Sequence, residues 1–250
     1  MKIGVAKTQN YDGWGFKLAG EKRKLLLFDI DGTLILTGGR AGRLMLRCVE
    51  QEAGQSLEYS VRDFVGFTDR FIIRKLLLRA GVKTAEVESR IDRVIDCYLQ
   101  ALGKVLSAPE AIRVLPGVTE LLGELSTNGE VALGLVTGNV REGARAKLSP
   151  VGLFQYFPVG AFGDDAMERH LLPPIAIARA ENHFQTRFHR KNIWIIGDSP
   201  NDVRCAKRNG LRCLAVASGV IPKEELAAMK PDALVSNLSQ TEAILKIFKN

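Results

Sequence analysis

Short, continuous apolar runs recur along the chain and predict the strands of a buried sheet. The run at 25–28 leads into Asp29-Ile30-Asp31-Gly32, and two later runs end at Thr137-Gly138-Asn139 and Gly197-Asp198. Runs of this kind, bounded by turn residues, are typical of parallel strands covered on both faces. The predicted strands are residues 25–30, Val131–Thr137, Val159–Phe162, Ile193–Asp198, Arg212–Ala217 and Ala233–Val235.

Helical patterns alternate with most of these runs. Alternation of strand and helix predicts an α/β fold with a Rossmann-like parallel sheet as its core. The predicted helices of this core are Val118–Ser126, Arg141–Leu148, Pro174–Phe188, Asp202–Asn209, Lys223–Met229 and Gln240–Phe248.

The alternation stops between residues 39 and 112, where helices are predicted without a buried strand. The clearest is Thr84–Ser107, whose apolar residues recur at the helical period, with Thr84 as the expected N-cap. Arg40–Glu52 and Thr68–Ala80 have weaker helical patterns. Glycine-containing linkers on both sides indicate an inserted all-helical cap domain that can open and close over the core.

The predicted domains are therefore an N-terminal arm at 1–23, a core formed by 24–38 and 113–250, and a helical cap at 39–112. The first 20 residues have no clear periodicity, so we expect a loosely packed or disordered arm.

Charge and composition narrow the class of protein. Lysine and arginine number 35 and aspartate and glutamate 28, a net charge of +7, but no block of like charge occurs, which disfavours nucleic acid as a partner. No apolar run approaches the roughly 20 residues of a membrane span, and no secretory signal is visible. We expect a cytoplasmic protein in which Cys48, Cys97, Cys205 and Cys213 are reduced. The oligomeric state stays open.

Candidate chemistry lies where the predicted strands end. Asp29 and Asp31 follow the first strand, and Asp198 and Asp202 follow a later one. Parallel strands end at one sheet edge, so these carboxylates should converge and favour Mg²⁺, which prefers oxygen ligands. Each pair taken alone also fits a capped turn or a helix N-terminus.

Thr137-Gly138-Asn139 follows another of the strands and precedes a helix. A hydroxyl group beside main-chain amides at a helix start can bind an anion, although an ordinary N-cap has the same sequence. Carboxylates, a metal and an anion site together indicate phosphoryl chemistry on a small phosphorylated substrate.

These motifs resemble those of the haloacid dehalogenase-like hydrolase superfamily. Phe28–Thr33 looks like its first motif, Val136–Asn139 its second and Ile196–Asp202 its fourth. The order and spacing fit from about residue 24 onward, and Gly66–Asp69 resembles a turn common in helical caps of this superfamily. The likeness is to the phosphatase branch, and within it to phosphoglycolate phosphatase-like members.

The resemblance implies a mechanism. Asp29 would be the nucleophile that forms an aspartyl phosphate, and Asp31 the acid that protonates the leaving oxygen and then activates water. Thr137, Gly138 and Asn139 would hold phosphate oxygens. Mg²⁺ would be bound by Asp29, by Asp31 through its main-chain carbonyl, and by Asp198, with Asp202 binding it directly or through its neighbours.

The third motif departs from the family pattern. A lysine is usual ahead of the helix that begins near Pro174, but this chain has Arg169-His170 and no lysine there. We expect Arg169 to replace it, with His170 as the next choice, although both would also fit a surface loop. Arg40 and Arg43, just past the first linker, are candidates for binding the far end of the substrate, or else belong to a solvated helix face.

The predicted function is a Mg²⁺-dependent phosphatase for a small phosphorylated metabolite. A sugar-phosphate mutase on the same scaffold is the alternative enzyme, and dependence on a bisphosphate activator would identify it. A non-catalytic binding protein with a basic arm is the alternative from another class. A salt-dependent complex with nucleic acid, without phosphatase activity, would identify that one.

Overall fold

The computed structural model describes residues 23–108 and 110–249. The predicted N-terminal arm lies outside the described residues except for Arg23. None of the described helices has both the length and the apolar character needed to span a membrane.

Six parallel strands form one sheet, as the apolar runs predict. The strand order is β5-β4-β1-β6-β7-β8, and β2 pairs with β3 in a separate antiparallel ribbon. The strands are β1 (Lys24–Phe28), β2 (Ile35–Leu36), β3 (Arg113–Val114), β4 (Val131–Val136), β5 (Val159–Ala161), β6 (Ile193–Gly197), β7 (Arg212–Val216) and β8 (Ala233–Val235).

Helices cover both faces of the sheet and fill the insertion between β2 and β3. Two apolar clusters lie on opposite faces of β1, one containing Leu26 and Phe28 and the other Leu25 and Leu27. The α-helices of the described residues are α1 (Arg40–Ala53), α2 (Asp69–Arg79), α3 (Thr84–Leu106), α4 (Val118–Thr127), α5 (Arg141–Leu148), α6 (Leu172–Phe184), α7 (Pro200–Arg208), α8 (Lys223–Ala228) and α9 (Thr241–Lys249).

The register of the central strands determines where the site forms. Phe28 at the end of β1 is aligned with Leu135 of β4 and with Ile196 of β6. Because all three strands are parallel and end together, the residues that follow them meet at one edge of the sheet.

Helices α1, α2 and α3 pack around an apolar cluster of their own. Its fully buried members include Val49, Ile73, Leu76 and Ile91. The chain enters and leaves this helical segment through the β2–β3 ribbon, in which Ile35 pairs with Val114. The sequence predicts linkers here but not their pairing, because two-residue strands carry too little pattern to be recognised.

Three expectations are wrong in detail. The N-cap of α3 is Lys83 rather than Thr84, and no side-chain hydrogen bond caps this helix. Helix α6 ends at Phe184 rather than Phe188, because Gln185 adopts a left-handed conformation with φ of 48°. Cys48 of α1 and Cys97 of α3 form a disulfide, whereas Cys205 and Cys213 are buried free thiols.

Candidate active site

Asp29 lies at the end of β1 and forms an ion pair with Arg169. The side chains are nearly buried, and Nη2 of Arg169 is 3.0 Å from Oδ1 of Asp29 and 2.5 Å from Oδ1 of Asp202. Arg169 is the first residue of a short 3₁₀ turn (Arg169–Leu171) that directly precedes α6. One guanidinium group therefore joins carboxylates that follow two different strands.

His170, the alternative cation of this segment, is directed elsewhere. Its Nδ1 is 3.1 Å from Nη1 of Arg208 and 3.2 Å from Oε2 of Glu168, and its side chain is partly exposed. Of the two candidates in this segment, the structure brings Arg169 to Asp29.

Asp198 follows β6 and is held in a narrow space. Oδ1 accepts a 3.4 Å hydrogen bond from the hydroxyl group of Thr33. A Cβ atom on Gly32 would lie 2.1 Å from Oδ2 of Asp198, and one on Gly219 would lie 1.7 Å from the same atom. Glycine is needed at both positions because any side chain would overlap the carboxylate.

The carboxylates of Asp29, Asp198 and Asp202 form a cluster suited to a cation. One oxygen from each lies within 4.8 Å of the others. Burial raises the pKa of Asp29 to about 6, with Arg169 acting in the opposite direction, and burial together with the charge of Asp29 raises the pKa of Asp198 well above its ordinary value. A bound cation would favour the ionised forms, and an all-oxygen donor set suits Mg²⁺.

Both carboxylate oxygens of Asp202 accept hydrogen bonds from other groups of the protein. Its Oδ2 accepts hydrogen bonds from the main-chain amide of Ser199 at 3.1 Å and from the Ser199 hydroxyl group at 2.6 Å, while Oδ1 faces Arg169. The Ser199 hydroxyl group also accepts from the Asp202 amide, which completes a capping box at the start of α7. Both carboxylate oxygens of Asp202 therefore have protein partners, and its place in the metal site, directly or through its neighbours, stays a prediction.

Asp31 points away from the carboxylate cluster toward a buried lysine. Oδ2 of Asp31 is 2.7 Å from Nζ of Lys147 and 2.8 Å from Nδ2 of Asn139. Nζ of Lys147 also donates to Oδ1 of Asn139 at 2.5 Å. Burial alone would lower the pKa of Lys147, but the charge of Asp31 raises it above its ordinary value, so the ammonium group stays charged.

Lys147 is a site residue that the sequence analysis missed. The feature of the sequence that could have identified it is its position on α5, because Lys147 lies on the buried face of this helix with Gly143, Ala144 and Leu148. A lysine on the buried stripe of a helix needs a partner, because an unpaired buried ammonium group is strongly unfavourable. That partner, Asp31, is 116 residues away along the chain, so the pattern alone does not identify it.

The predicted anion-binding segment lies beside Asp31. Gly138 and Asn139 line a cavity of about 320 Å³ above the carboxylates. Thr137 is fully buried, and its hydroxyl oxygen accepts a 2.9 Å hydrogen bond from Nδ2 of Asn139. The three residues are thus together, with Thr137 orienting the Asn139 side chain that contacts Asp31.

The loop before α2 closes over this segment. The main-chain amide of Asp69 donates to the carbonyl of Gly138 at 2.7 Å, and the amide of Val140 donates to Oδ2 of Asp69 at 2.9 Å. A Cβ atom on Gly138 would lie 2.1 Å from the carbonyl oxygen of Phe67. Thr68 caps α2 and donates to the carbonyl of Met167 at 2.6 Å. The turn that resembles the family's cap motif therefore joins the helical segment to the sheet edge.

Arg40 and Arg43 are not among the residues that line the cavity. Nη2 of Arg43 donates instead to the carbonyl of Gly38 at 2.8 Å, and the Arg43 side chain is exposed. Their contact with the far end of a substrate stays a prediction.

Arg169→Ala should lower the free energy of unfolding by about 3–5 kcal/mol, because Asp29 and Asp202 would be left buried without a counter-charge. Denaturant unfolding of the metal-free protein at neutral pH measures this. Arg93→Ala, which removes an exposed arginine paired with Glu52, is the matched control and should unfold close to the wild type. Equal effects of the two substitutions would contradict the role of Arg169.

The pKa of Asp69 leads to a pH-dependent stability. Burial raises it from 3.8 to about 6. Because the folded state binds this proton more tightly than the unfolded chain, Asp69 should lower stability as pH rises from about 4 to 6, by about 3 kcal/mol in all. Asp69→Asn, which keeps an oxygen for the Val140 amide, should remove this slope. Unfolding free energies of both proteins across this range test it, and parallel curves would refute it.

The chain matches known proteins over most of its length. The family model for haloacid dehalogenase-like hydrolases matches residues 26–216. A phosphoglycolate phosphatase of Vibrio vulnificus is 28% identical over 87% of this chain and 93% of its own, and one of Yersinia pseudotuberculosis is 24% identical over 85% and 88%. A hydrolase structure from Pseudomonas syringae superimposes with a TM-score of 0.70 at 18% identity, covering 90% of this chain and 98% of that one.

Proposed function

Since this chain belongs to the haloacid dehalogenase-like hydrolase family, as a phosphoric monoester hydrolase, we propose that it is a Mg²⁺-dependent phosphatase that hydrolyses a small phosphorylated metabolite through an aspartyl-phosphate intermediate. The observation that carries this proposal is the arrangement around Asp29. Asp29, a buried carboxylate paired with Arg169, belongs to a carboxylate cluster of which Asp29 and Asp198 line a cavity.

The donor set around Asp29 fits a magnesium ion. Asp29 and Asp198 would hold it, with the main-chain carbonyl of Asp31 as a further oxygen, while Asp202 fixes Arg169. The ion would neutralise charge on the phosphoryl oxygens as the reaction proceeds. Three carboxylates close to a phosphate dianion repel one another, so both the ion and Arg169 are needed to offset this charge.

Asp29 performs the first displacement. One of its carboxylate oxygens attacks phosphorus, and the bond from phosphorus to the ester oxygen breaks as Asp31, which must enter this step with a proton on its carboxyl group, donates that proton to the ester oxygen. Water then attacks the aspartyl phosphate, Asp31 accepts its proton, and the bond between phosphorus and the Asp29 oxygen breaks. Lys147 and Asn139 contact Oδ2 of Asp31, so we assign the proton transfers to Oδ1.

Arg169 holds both the nucleophile and the phosphate. Its Nη2 is directed to Asp29 and Asp202, and its Nε is buried with no hydrogen-bond partner among the described residues. We further propose that residues 39–112 act as a cap domain, because the turn at 66–69 leads directly into α2 and contacts the site.

Release of inorganic phosphate tests this function. The purified chain with Mg²⁺ should release phosphate from p-nitrophenyl phosphate and from alkyl monophosphates without an activator. A mutase would instead require a sugar bisphosphate and would isomerise a sugar phosphate with little release. Absence of phosphate release from every ester, with Mg²⁺ bound, would overturn the proposal.

Asp31→Asn should impair turnover in proportion to how much the leaving group needs a proton. General acid catalysis contributes about 10²–10⁴-fold, and we expect that loss with alkyl phosphates and a clearly smaller one with p-nitrophenyl phosphate, whose phenolate leaves readily. The measurement is kcat/KM for both esters. Equal losses would contradict the assignment of Asp31 as the acid.

A further inference from the structure

The cavity above the carboxylates has an apolar wall on the side of the helical segment. Tyr59 stacks on Phe64 with ring centroids 5.5 Å apart, and Phe67 stacks on Phe71 at 4.6 Å. The wall is completed by side chains from α1, α2 and α3. Those that line the cavity are Met45, Tyr59, Phe64, Phe67, Ile72 and Tyr98.

Both cations that line the cavity are already paired. Lys147 is bonded to Asp31, and Arg169 is bonded to Asp29 and Asp202. Among the described residues, the helical segment adds one ionisable carboxylate, Asp69, to the lining and no lysine or arginine. A second anionic group on the substrate would thus lose its water without gaining a counter-charge, which is strongly unfavourable.

The volume of the cavity also limits the size of the alcohol part of the substrate. Its volume of about 320 Å³ lies at the low end of the roughly 300–1,000 Å³ found for small-molecule sites. The cavity is partly open to solvent and must also hold the phosphate group, so the part of the alcohol that it encloses is small. Apolar and aromatic side chains provide contact area to such a group, whereas a sugar would leave several hydroxyl groups facing rings and methyl groups.

We propose that the leaving group of the substrate is a small, uncharged alcohol of aromatic or alkyl character, so that the substrate is a monophosphate ester without a second anionic group. This rests on the proposed function for the phosphate end of the site. The proposal implies that phosphoglycolate is a poor substrate for this chain, because its carboxylate would face Asp69 and the aromatic wall. Hydrolysis breaks the bond between phosphorus and the ester oxygen and yields the alcohol and inorganic phosphate.

The test compares esters that share an alkoxide leaving group. With Mg²⁺ present, kcat/KM for benzyl phosphate should exceed that for 2-phosphoglycolate by about tenfold or more, equivalent to about 1.4 kcal/mol. Glycerol phosphate, uncharged but polar in its alcohol, should fall between them. Equal or better turnover of 2-phosphoglycolate would overturn the leaving-group assignment alone. Failure of every ester, p-nitrophenyl phosphate included, would overturn the proposed function and this inference together.

Met45→Lys tests the same idea from the side of the protein. A lysine in the apolar wall should lower the ratio of benzyl phosphate to 2-phosphoglycolate turnover about tenfold. Gln51→Lys adds the same charge to the exposed face of α1 and should leave the ratio unchanged. Tyr59→Lys, at a half-buried position of the same wall, is the second variant if the first does not fold. An unchanged ratio in a folded wall variant would count against the proposal.

Discussion

Asp29→Asn should lower kcat by about 10³-fold or more while the protein remains folded. The amide has nearly the shape of the carboxylate, so its oxygen can still accept the hydrogen bond from Arg169. It is a poor nucleophile, and no aspartyl phosphate can form. Because burial raises the pKa of Asp29 to about 6, replacing the charge with a neutral amide should not reduce stability. Steady-state phosphate release and thermal unfolding measure the two effects.

An exposed acidic residue gives the control for this substitution. Asp92, which pairs with Arg70 on the surface, can be changed to Asn with the same loss of charge and should retain wild-type turnover. Near-normal turnover by a sequence-verified Asp29→Asn protein would remove Asp29 from the mechanism.

Metal removal should abolish turnover, and Mg²⁺ should restore it. With the ion absent, Arg169 and Lys147 are the only lysine or arginine residues, among the described residues that line the cavity, to offset the charge of Asp29, Asp198 and a phosphate dianion. Calcium should bind without supporting turnover, because its longer bonds and higher coordination number would misplace Asp29 relative to phosphorus. Activity after chelation and after addition of each metal measures this.

The metal-free protein provides the internal control for that experiment. It should retain its far-ultraviolet circular dichroism, because Arg169 and the Thr33 hydroxyl group still contact the carboxylates. Full turnover after exhaustive chelation, with metal content verified by elemental analysis, would refute the dependence.

The fold class was predictable because its signals are local. Each sheet strand is a short apolar run, and every one of the six predicted runs lies in the parallel sheet. The resemblance to haloacid dehalogenase-like hydrolases is confirmed by the family match, and so is the phosphatase activity class. The individual roles of Asp29, Asp31, Thr137 and Arg169 stay predictions, as do the Mg²⁺ dependence, the cap boundaries and the cytoplasmic location.

Contacts between distant segments were not predictable. Lys147 and Asp31 are far apart in sequence, and so are Asp69 and Val140. The period of a helix or strand indicates which of its faces is buried, but it does not indicate which distant residue packs against that face. The expectation of four reduced thiols failed for the same reason. Cys48 and Cys97 are 49 residues apart, and only the packing of α1 against α3 brings them together.

By itself, the sequence determined which residues end each strand, and therefore which acidic side chains meet at one edge of the sheet. The reason is that the residues that follow parallel strands lie at the same edge of the sheet. The tertiary structure decided which groups each carboxylate contacts. Asp202 contacts Ser199 and Arg169, and Asp31 pairs with Lys147. The aromatic wall of the cavity that Asp29 lines contributes no lysine or arginine among the described residues. These outcomes depend on packing between segments that share no local pattern, and they set the charge and shape of the cavity.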